Sequence, residues 1–404
     1  MKVPVLIPRI FDQPHTYLSG NFKNLTPGTI VHVPFGKKEE VGVIWDQLEK
    51  KKLNIKLKTV LKKNETFFNK SLIEFINWFS LYNLVPKGMV LKMFLGDLSY
   101  LEKASEKFLE HKIQKKIKYT LNNEQKKCLK EINSYGNKFN VTLLQGVTGS
   151  GKTIVYFEKI KEIIKNNKQV LVLLPEIFLT NQFNKRFEDF FGFKPPVWHS
   201  KITKKNRKYI WQNIINGNIK LVLGVRSSLF LPFKNLGLIV VDEEHDQSFK
   251  QDEGITYNAR DMAIVRANSE NIPINLVTAV PSIETFANIK NKKYSFSRLI
   301  NRYKDANLPK HHIIDLNQNK LAKKTFISIK TVEKVEAHLK KKDQILFFIN
   351  RRGFAPYVLC KKCLNVFSCP NCSINLVYHK NKKKLLCHYC GYSSSLQRKC
   401  KKDD

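Results

Sequence analysis

Between Leu121 and Lys290, short apolar runs alternate with longer stretches in which apolar residues return every three or four positions. The runs Val141–Leu144, Val170–Leu174, Leu221–Gly224, Leu238–Val241 and Ile274–Ala279 predict strands buried on both faces. Between most of them lie helical patterns of ten or more residues; Ile154, Phe157, Ile160, Ile163 and Ile164 mark one of these. Strands that alternate with helices predict an α/β fold built on a parallel, helix-covered sheet. Residues 1–98 read differently, as a small β-rich domain with strands at Val3–Ile7, Gly28–Val33 and Val41–Trp45. Turns at Pro27-Gly28 and Pro34–Lys38 separate them, and a helix is predicted over Leu72–Phe79. Leu101–Lys118 mixes Glu and Lys and predicts a helical or flexible linker, so residues 99–120 join the two parts. A further strand, Gln344–Ile349, would open a second α/β unit before the chain turns to cysteine pairs. No repeat of 20–50 residues is present.

Composition changes this picture in two ways. The 404 residues carry 71 Lys and Arg against 34 Asp and Glu, a net charge of +37, which points to a polyanionic partner such as nucleic acid. Only 11 of those basic residues are Arg, and Asn, Ile and Phe are abundant, so the excess equally fits codon drift in an AT-rich genome. Charge supports nucleic-acid binding without establishing it. No apolar run reaches the length that spans a bilayer, and the proline-broken Met1–Arg9 lacks a signal-peptide core, so a cytoplasmic protein is expected. In that compartment the eight cysteines favour metal or redox chemistry over disulfides.

The chemistry is concentrated in three places. Gly146-Val147-Thr148-Gly149-Ser150-Gly151-Lys152-Thr153 fits G-x-x-x-x-G-K-[ST] between a predicted strand and a predicted helix. Such a loop aims backbone N–H groups and a helix N-terminus at phosphate; Lys152 would reach the β- and γ-phosphates and the Thr153 hydroxyl would ligate Mg²⁺. The run Leu238–Val241 then delivers Asp242 and Glu243 to the end of its strand, the first to hold Mg²⁺ through water and the second to polarise the attacking water. An acidic strand end can also be a helix cap. Upstream, the Gln125 amide has the donor and acceptor needed to read adenine. Finally, Cys360-x₂-Cys363-x₅-Cys369-x₂-Cys372-x₁₄-Cys387-x₂-Cys390-x₉-Cys400 is an array of zinc knuckles. Cys128 lies outside it and reads as a buried helix residue.

These motifs, in this order, resemble those of superfamily 2 helicases, and in detail the PriA family of replication-restart helicases. The residues that carry the resemblance are Gly146–Thr153, Leu174-Pro175-Glu176-Ile177 with Leu179, Thr180 and Gln182, Gly224–Phe230, Asp242–Asp246 and Asn350–Pro356 running into Cys360. Phe11-Asp12 and Val33–Lys37 extend it to the N-terminus. The resemblance implies a RecA-like ATP-binding lobe at 121–298, the start of a second lobe at 299–358, and a zinc-binding segment at 359–404. It implies ATP, Mg²⁺ and Zn²⁺ as cofactors, and an ATP-dependent 3′-to-5′ DNA helicase that recognises stalled forks and restarts replication. Residues 1–98 would capture a 3′ DNA end through Phe11 and Asp12, although a turn carrying a core aromatic is the alternative. Gln247–Arg260 corresponds to an aromatic-rich loop that couples DNA binding to hydrolysis. In it Phe249 and Tyr257 could stack on bases while Lys250 and Arg260 contact phosphates, unless one of the aromatics is core packing. Arg226 is a further phosphate contact or a surface ion pair. By resemblance, Cys369, Cys372, Cys387 and Cys390 close one zinc site. Cys360, Cys363 and Cys400 supply three ligands of another, whose eighth position is Asp403. The implied partners are forked DNA, single-stranded-DNA-binding protein and the primosome and restart proteins, with the chain itself a monomer.

Three departures from the family pattern set the expectations for this chain. Most of a second lobe, with the arginine that in related NTPases is worth about 10³–10⁵ in rate, is missing from the sequence. The family's Ser/Thr-Ala-Thr before proline is Thr278-Ala279-Val280-Pro281 here, without the last hydroxyl. The stretch before Leu121 leaves no room for a winged-helix domain. The expectation is therefore nucleotide and DNA binding with little ATP turnover and no strand separation. The alternative is a non-enzymatic, zinc-stapled fork-binding fragment that retains a nucleotide site; an unrelated superfamily 2 translocase is a third reading.

Overall fold

The computed structural model describes residues 1–46, 56–101, 120–175, 181–302, 310–319, 321, 327–348, 357–360, 363, 365–370, 375–380, 383–388 and 391–395. The predicted linker at 101–118, apart from Leu101, and the segments Glu176–Thr180 and Asn350–Pro356 lie outside them. Residues 1–308 form one compact unit and 309–404 a second. Among the described residues no helix is long and apolar enough to cross a membrane.

The first unit begins with an antiparallel sheet of β1 (Lys2–Leu6), β2 (His15–Leu18), β3 (Thr29–Phe35), β4 (Lys38–Ile44) and β5 (Lys62–Phe67), in the order β2-β1-β4-β3-β5. The charged edge strand β5, Lys-Lys-Asn-Glu-Thr-Phe, carries too little apolar pattern to announce itself. Two helices follow, α1 (Lys70–Asn83) and α2 (Lys87–Leu95). The Asn69 side chain caps α1 by accepting from Leu72 N–H at 2.8 Å.

The larger sheet is wholly parallel, in the order β14-β6-β13-β10-β7-β9-β8. Its elements in chain order are α3 (Asn123–Ser134), β6 (Asn140–Gly146), α4 (Lys152–Lys165), β7 (Gln169–Leu173), α5 (Asn181–Phe191), β8 (Val197–Trp198), α6 (Lys204–Ile215), β9 (Leu221–Gly224) and β10 (Leu236–Asp242). Then come the short pair β11 (Lys250–Gln251) and β12 (Tyr257–Asn258), α7 (Ala259–Ser269), β13 (Pro273–Thr278), α8 (Ile283–Lys290) and β14 (Ser295–Leu299). The five strands expected in this region form, and β14, which pairs with β6, extends the sheet to Leu299.

Alternate side chains of each strand enter different cores, as the two-residue period requires. Leu144, Val172, Leu223 and Val240 pack with Val155 and Phe157 of α4 and Phe187 and Phe191 of α5. Leu143, Leu171, Val222 and Val241 pack with Trp211 of α6 and Met262 and Ala263 of α7 on the other face, in a core that also takes in Phe75, Phe79 and Phe94 of α1 and α2. The N-terminal helices thus roof the parallel sheet. The Phe79 ring meets Phe230 and Tyr257 edge-on at 5.5 and 5.7 Å. Trp211 Nε1 donates to Phe94 O at 2.7 Å, and Gln212 Nε2 to Tyr100 O at 2.6 Å.

At the centre of this roof Arg266 is fully buried. It donates to Leu229 O and, at 2.8 Å, to Leu231 O, and its guanidinium lies 5.7 Å from the Phe94 ring and 5.4 Å from the Phe233 ring. Glu270 stands 4.0 Å away and itself accepts from Asn69 Nδ2 at 3.3 Å. Burial pulls the Arg266 pKa down to about 10, still high enough to keep it charged.

The second unit contains α9 (Ile329–Lys340) and, further along the chain, a three-stranded antiparallel sheet of β15 (Val377–His379), β16 (Lys384–Leu386) and β17 (Ser393–Ser395). The strand expected over Gln344–Ile349 is not formed: residues 344–348 are irregular, with Leu346 and Phe348 exposed. No described strand of this unit lies alongside to bond its backbone, and an apolar run without a partner strand has nothing to pair with.

Replacing Arg266 with leucine should lower stability by about 3–5 kcal/mol, because two carbonyls and the Glu270 carboxylate lose their buried partner. Urea unfolding of the 404-residue chain checks this; an unchanged midpoint would show that the roof does not depend on the arginine.

Candidate nucleotide site and nucleic-acid interface

The parallel register brings the C-terminal ends of three central strands level. Asp242 aligns with Val277 and Gln145 with Thr278, so Gly146, Asp242 and Thr278 share one edge. There every side chain leaves a dry sheet for a crevice, which is where ligands of open α/β sheets bind. Gly146 is the last residue of β6, Val147–Gly151 form the loop, and Lys152 and Thr153 open α4. Gly151 has φ +84°, a left-handed turn, and a β-carbon there would overlap Gln125 Nε2.

This loop is built for an anion. Gly151 is the N-cap of α4 and contributes no side-chain cap, so the first N–H groups of a 14-residue helix keep no side-chain acceptor at the cap. Ser150 Oγ is buried with no hydrogen-bond partner. Lys152 Nζ turns back to Gly146 O at 2.7 Å, and burial lowers its pKa while Glu243 and Asp242 pull it up. An uncapped helix end, an orphaned hydroxyl and a lysine resting on a carbonyl together suit a phosphate group, so these residues fit a nucleoside triphosphate.

Asp242 is buried at the end of β10. Its Oδ2 accepts from Tyr156 Oη at 2.9 Å and its Oδ1 from Glu243 N–H at 3.0 Å. Burial, reinforced by the Glu243 charge, raises its pKa to about 6. A buried carboxylate short of positive charge is what a hydrated Mg²⁺ would relieve. Glu243 holds φ +50°, an uncommon backbone conformation for a residue with a side chain, which turns it out of line with the strand.

The sequence reading gave no individual role to three neighbours of this pair. Glu244 is buried and accepts from Ser282 N–H at 2.7 Å, Ser282 Oγ at 3.1 Å, Thr285 Oγ1 at 3.0 Å and Arg260 Nη1 at 3.2 Å. It thereby ties β10 to the N-termini of α7 and α8. His245 Nδ1 lies 2.7 Å from Thr278 Oγ1, which also donates to Val280 O at 2.9 Å. Val280 itself has an exposed side chain. Tyr156 could have been flagged as a polar atom on the buried face of an otherwise apolar helix.

Gln125 sits against the loop. Its side chain completes a capping box with Asn122, accepting from Asn122 N–H at 3.0 Å, and its Nε2 donates to Ser150 O at 2.9 Å. Both ends of the amide are occupied by protein here.

The aromatic-rich segment departs from expectation. Phe249 is 1% exposed and Tyr257 6%, and Arg260 is 8% exposed. Beside the β11–β12 pairing, Lys250 with Asn258 and Gln251 with Tyr257, both rings are buried in the core, and the Tyr257 ring meets Phe79 and Phe230. Arg260 is bound to Glu244, Ser282 and, through Nε at 2.8 Å, Asp261. In this arrangement none of the three reaches a base or phosphate, because packing and a buried ion pair satisfy them. Lys250 does face solvent, 3.2 Å from Asp252, and Arg226 Nη1 donates to Lys250 O at 2.6 Å.

At the N-terminus, Phe11 and Asp12 lie on a turn held by the start of α2. Gly88 N–H donates to Phe11 O at 2.8 Å and Lys87 N–H to Asp12 Oδ1 at 3.4 Å. A β-carbon at Gly88 would collide with the carbonyls of Ile7 and Arg9, so glycine is needed for this approach. The Phe11 ring is half-buried against His15 and Phe35, at centroid distances of 4.6 and 5.6 Å, and Asp12 is exposed.

In the second unit Cys369 and Cys387 are buried together in a small core with Leu376 and Leu385. Cys372, Cys390 and Cys400 lie outside the described residues, while Cys360 and Cys363 lie within them. Among the described residues no three Cys, His, Asp or Glu converge on one point. Cys369 and Cys387 each begin one of the two Cys-x-x-Cys pairs, whose second cysteines, Cys372 and Cys390, lie outside the described residues.

Family models match three stretches: a PriA 3′ DNA-binding domain over 2–96, a DEAD/DEAH box helicase over 122–289 and the PriA DNA helicase Cys-rich region over 369–394. The replication restart protein PriA of Rickettsia conorii is 44% identical over 99% of this chain, and that match covers 61% of the relative. Along nearly its whole length the chain is similar to PriA. PriA of Haemophilus influenzae is 42% identical over 70% of this chain and 38% of its own length, and PriA of Bacillus subtilis 33% over 78% and 39%. The chain thus spans about three fifths of the Rickettsia relatives it matches. The Cys-rich PriA model encloses Cys369, Cys372, Cys387 and Cys390 and leaves out Cys360, Cys363 and Cys400. The DEAD/DEAH match implies ATP and Mg²⁺, and the Cys-rich match implies zinc.

The raised Asp242 pKa has a consequence for stability. Below about pH 4 the carboxyl is protonated in both folded and unfolded chains and contributes nothing. Between pH 4 and 6 the folded chain holds a proton that the unfolded chain has released, so stability falls as pH rises. Above pH 6 the penalty is constant, up to about 3 kcal/mol. Asp242→Asn should therefore raise the melting temperature of the metal-free chain at pH 7.5 and leave it unchanged at pH 4. A pH series of thermal melts checks this, and a less stable variant at pH 7.5 would contradict it.

Proposed function

We propose that this chain carries the ATP-binding motor lobe and the fork-reading domain of a replication-restart DNA helicase. The observation that carries the reading is the uncapped α4 N-terminus with Lys152, facing Asp242 and Glu243 across one strand edge, in the same compact unit as a domain matching the PriA 3′ DNA-binding model. Lys152 neutralises the β- and γ-phosphates, and the N–H groups of Thr148–Thr153 cradle them. Thr153 and Asp242 hold Mg²⁺, which when bound offsets the phosphate charge. Glu243, turned out by its left-handed backbone, orients the attacking water. Gln125 reads adenine once nucleotide displaces its contact with Ser150.

Phe11 and Asp12 receive the free 3′ end of a DNA strand, the ring against a base and the carboxylate on the terminal hydroxyl. Lys250 and Arg226 contact phosphates. Phe249, Tyr257 and Arg260 join in only if DNA draws their loop off α1. Cys369, Cys372, Cys387 and Cys390 bind one zinc ion, and Cys360, Cys363 and Cys400 contribute to a second with Asp403. Forked DNA, single-stranded-DNA-binding protein and the restart primosome are the partners, in the cytoplasm. Strand separation belongs to the whole protein, of which these residues match three fifths. A non-enzymatic fork-binding module is less well supported, since such a module has no use for a lysine, a buried aspartate and an out-turned glutamate arranged for hydrolysis.

Binding of a fluorescent fork tests the reading. A fork with a free 3′-hydroxyl should bind at least about tenfold more tightly than one ending in 3′-phosphate, a preference carried by one desolvated carboxylate–hydroxyl bond. Asp12→Ala should erase the difference while leaving residual charge-driven binding. Equal affinity of the wild-type chain for both forks would overturn the 3′-end assignment.

A further inference from the structure

Tyr156 lies four residues after Lys152 on α4 and is fully buried. Its ring packs edge-on against Phe157 at 5.2 Å, work that a phenylalanine would do equally well. The hydroxyl is the part that needs explaining, because a buried hydroxyl is costly unless bonded. It donates to Asp242 Oδ2 at 2.9 Å. The other Asp242 oxygen is held by Glu243 N–H at 3.0 Å. The phenol therefore reaches from α4 to the carboxylate at the end of β10 to which the proposed function assigns Mg²⁺.

We propose that Tyr156 is a positioning residue of the divalent-cation site. Its phenol fixes the rotation of the Asp242 carboxylate, so that this ligand stands ready before the metal arrives. Mg²⁺ would be held by Asp242 in that orientation together with Thr153, with the phenol still donating to Asp242 Oδ2. Metal sites commonly depend on such outer partners, whose removal costs about 10–100-fold in affinity. This inference rests on the nucleotide-site reading above.

The test is a Mg²⁺ titration of the 404-residue chain with a fluorescent N-methylanthraniloyl ATP as probe, begun in EDTA. Wild type should bind the probe more tightly as Mg²⁺ rises. Tyr156→Phe should bind it in EDTA within about twofold of wild type but need about tenfold more Mg²⁺ to reach half-effect. A purely structural role would weaken binding equally with and without metal. In an Asp242→Asn background the same replacement should produce no further shift, because the phenol acts through that carboxylate. A Tyr156→Phe midpoint within twofold of wild type, or a full shift that persists beside Asp242→Asn, overturns the proposal. If wild-type binding does not depend on Mg²⁺, the nucleotide-site reading falls and takes this inference with it. One measurement needs no variant: the Tyr156 ¹³Cζ resonance of the wild-type chain should move when Mg²⁺ is added to the probe-bound protein. It should stay still when probe alone is added, and the reverse pattern counts against the proposal.

Discussion

The structure turns on a buried negative charge at the dry end of a parallel sheet. Asp242 has no arginine or lysine within bonding distance among the described contacts; its partners are a phenol and a backbone N–H. Both leave it under-compensated, as its raised pKa records. Beside it stand a lysine resting on a carbonyl and a helix end with no side-chain cap. A magnesium-bound triphosphate would supply the positive charge that Asp242 lacks and an anionic acceptor for the lysine and the helix end at once. The folded chain tolerates that local cost because the rest of the sheet is packed on both faces.

A second constraint is the roof. With α1 and α2 pressed on one face through Phe79, Phe94 and the buried Arg266, these helices share a core with the parallel sheet, while Val3, Val5, Val31 and Val33 form a separate one. Phe249 and Tyr257 pack into this seam, and Arg260, just after them, is bound to Glu244, the neighbour of Glu243. Displacement of the aromatic loop would break contacts with the N-terminal domain and with the acidic motif together. That gives a contiguous physical connection between the two places where DNA and nucleotide are proposed to bind. Whether it transmits energy depends on the loop having a second stable position.

Much of this was legible in the sequence where the pattern was repetitive or chemically rigid. Five strands of the parallel sheet stood out because both faces are buried and their apolar runs are continuous; β5 and β14 did not, because edge strands tolerate charge and serine. The phosphate loop was legible because glycine at Gly151 has no substitute at φ +84°. What periodicity cannot reveal is partnership across the fold. Phe249, Tyr257 and Arg260 looked like nucleic-acid contacts because their residue types suit that role. Only the roof shows where the rings go, and only Glu244 shows what the guanidinium meets. The contact of Thr278 with His245 was likewise out of reach of periodicity. The run 344–348 failed as a strand because apolarity signals burial, while strand formation needs a neighbour.

The claim on which the rest depends is that this strand edge holds a metal-bound nucleotide. Crystals of the chain grown with Mn²⁺ in place of Mg²⁺ and a non-hydrolysable ATP analogue would locate the metal by its anomalous scattering. The account predicts a single strong peak between Thr153 and Asp242, with the triphosphate over the α4 N-terminus. Nucleotide bound elsewhere on the sheet, or a peak remote from both residues, would contradict it.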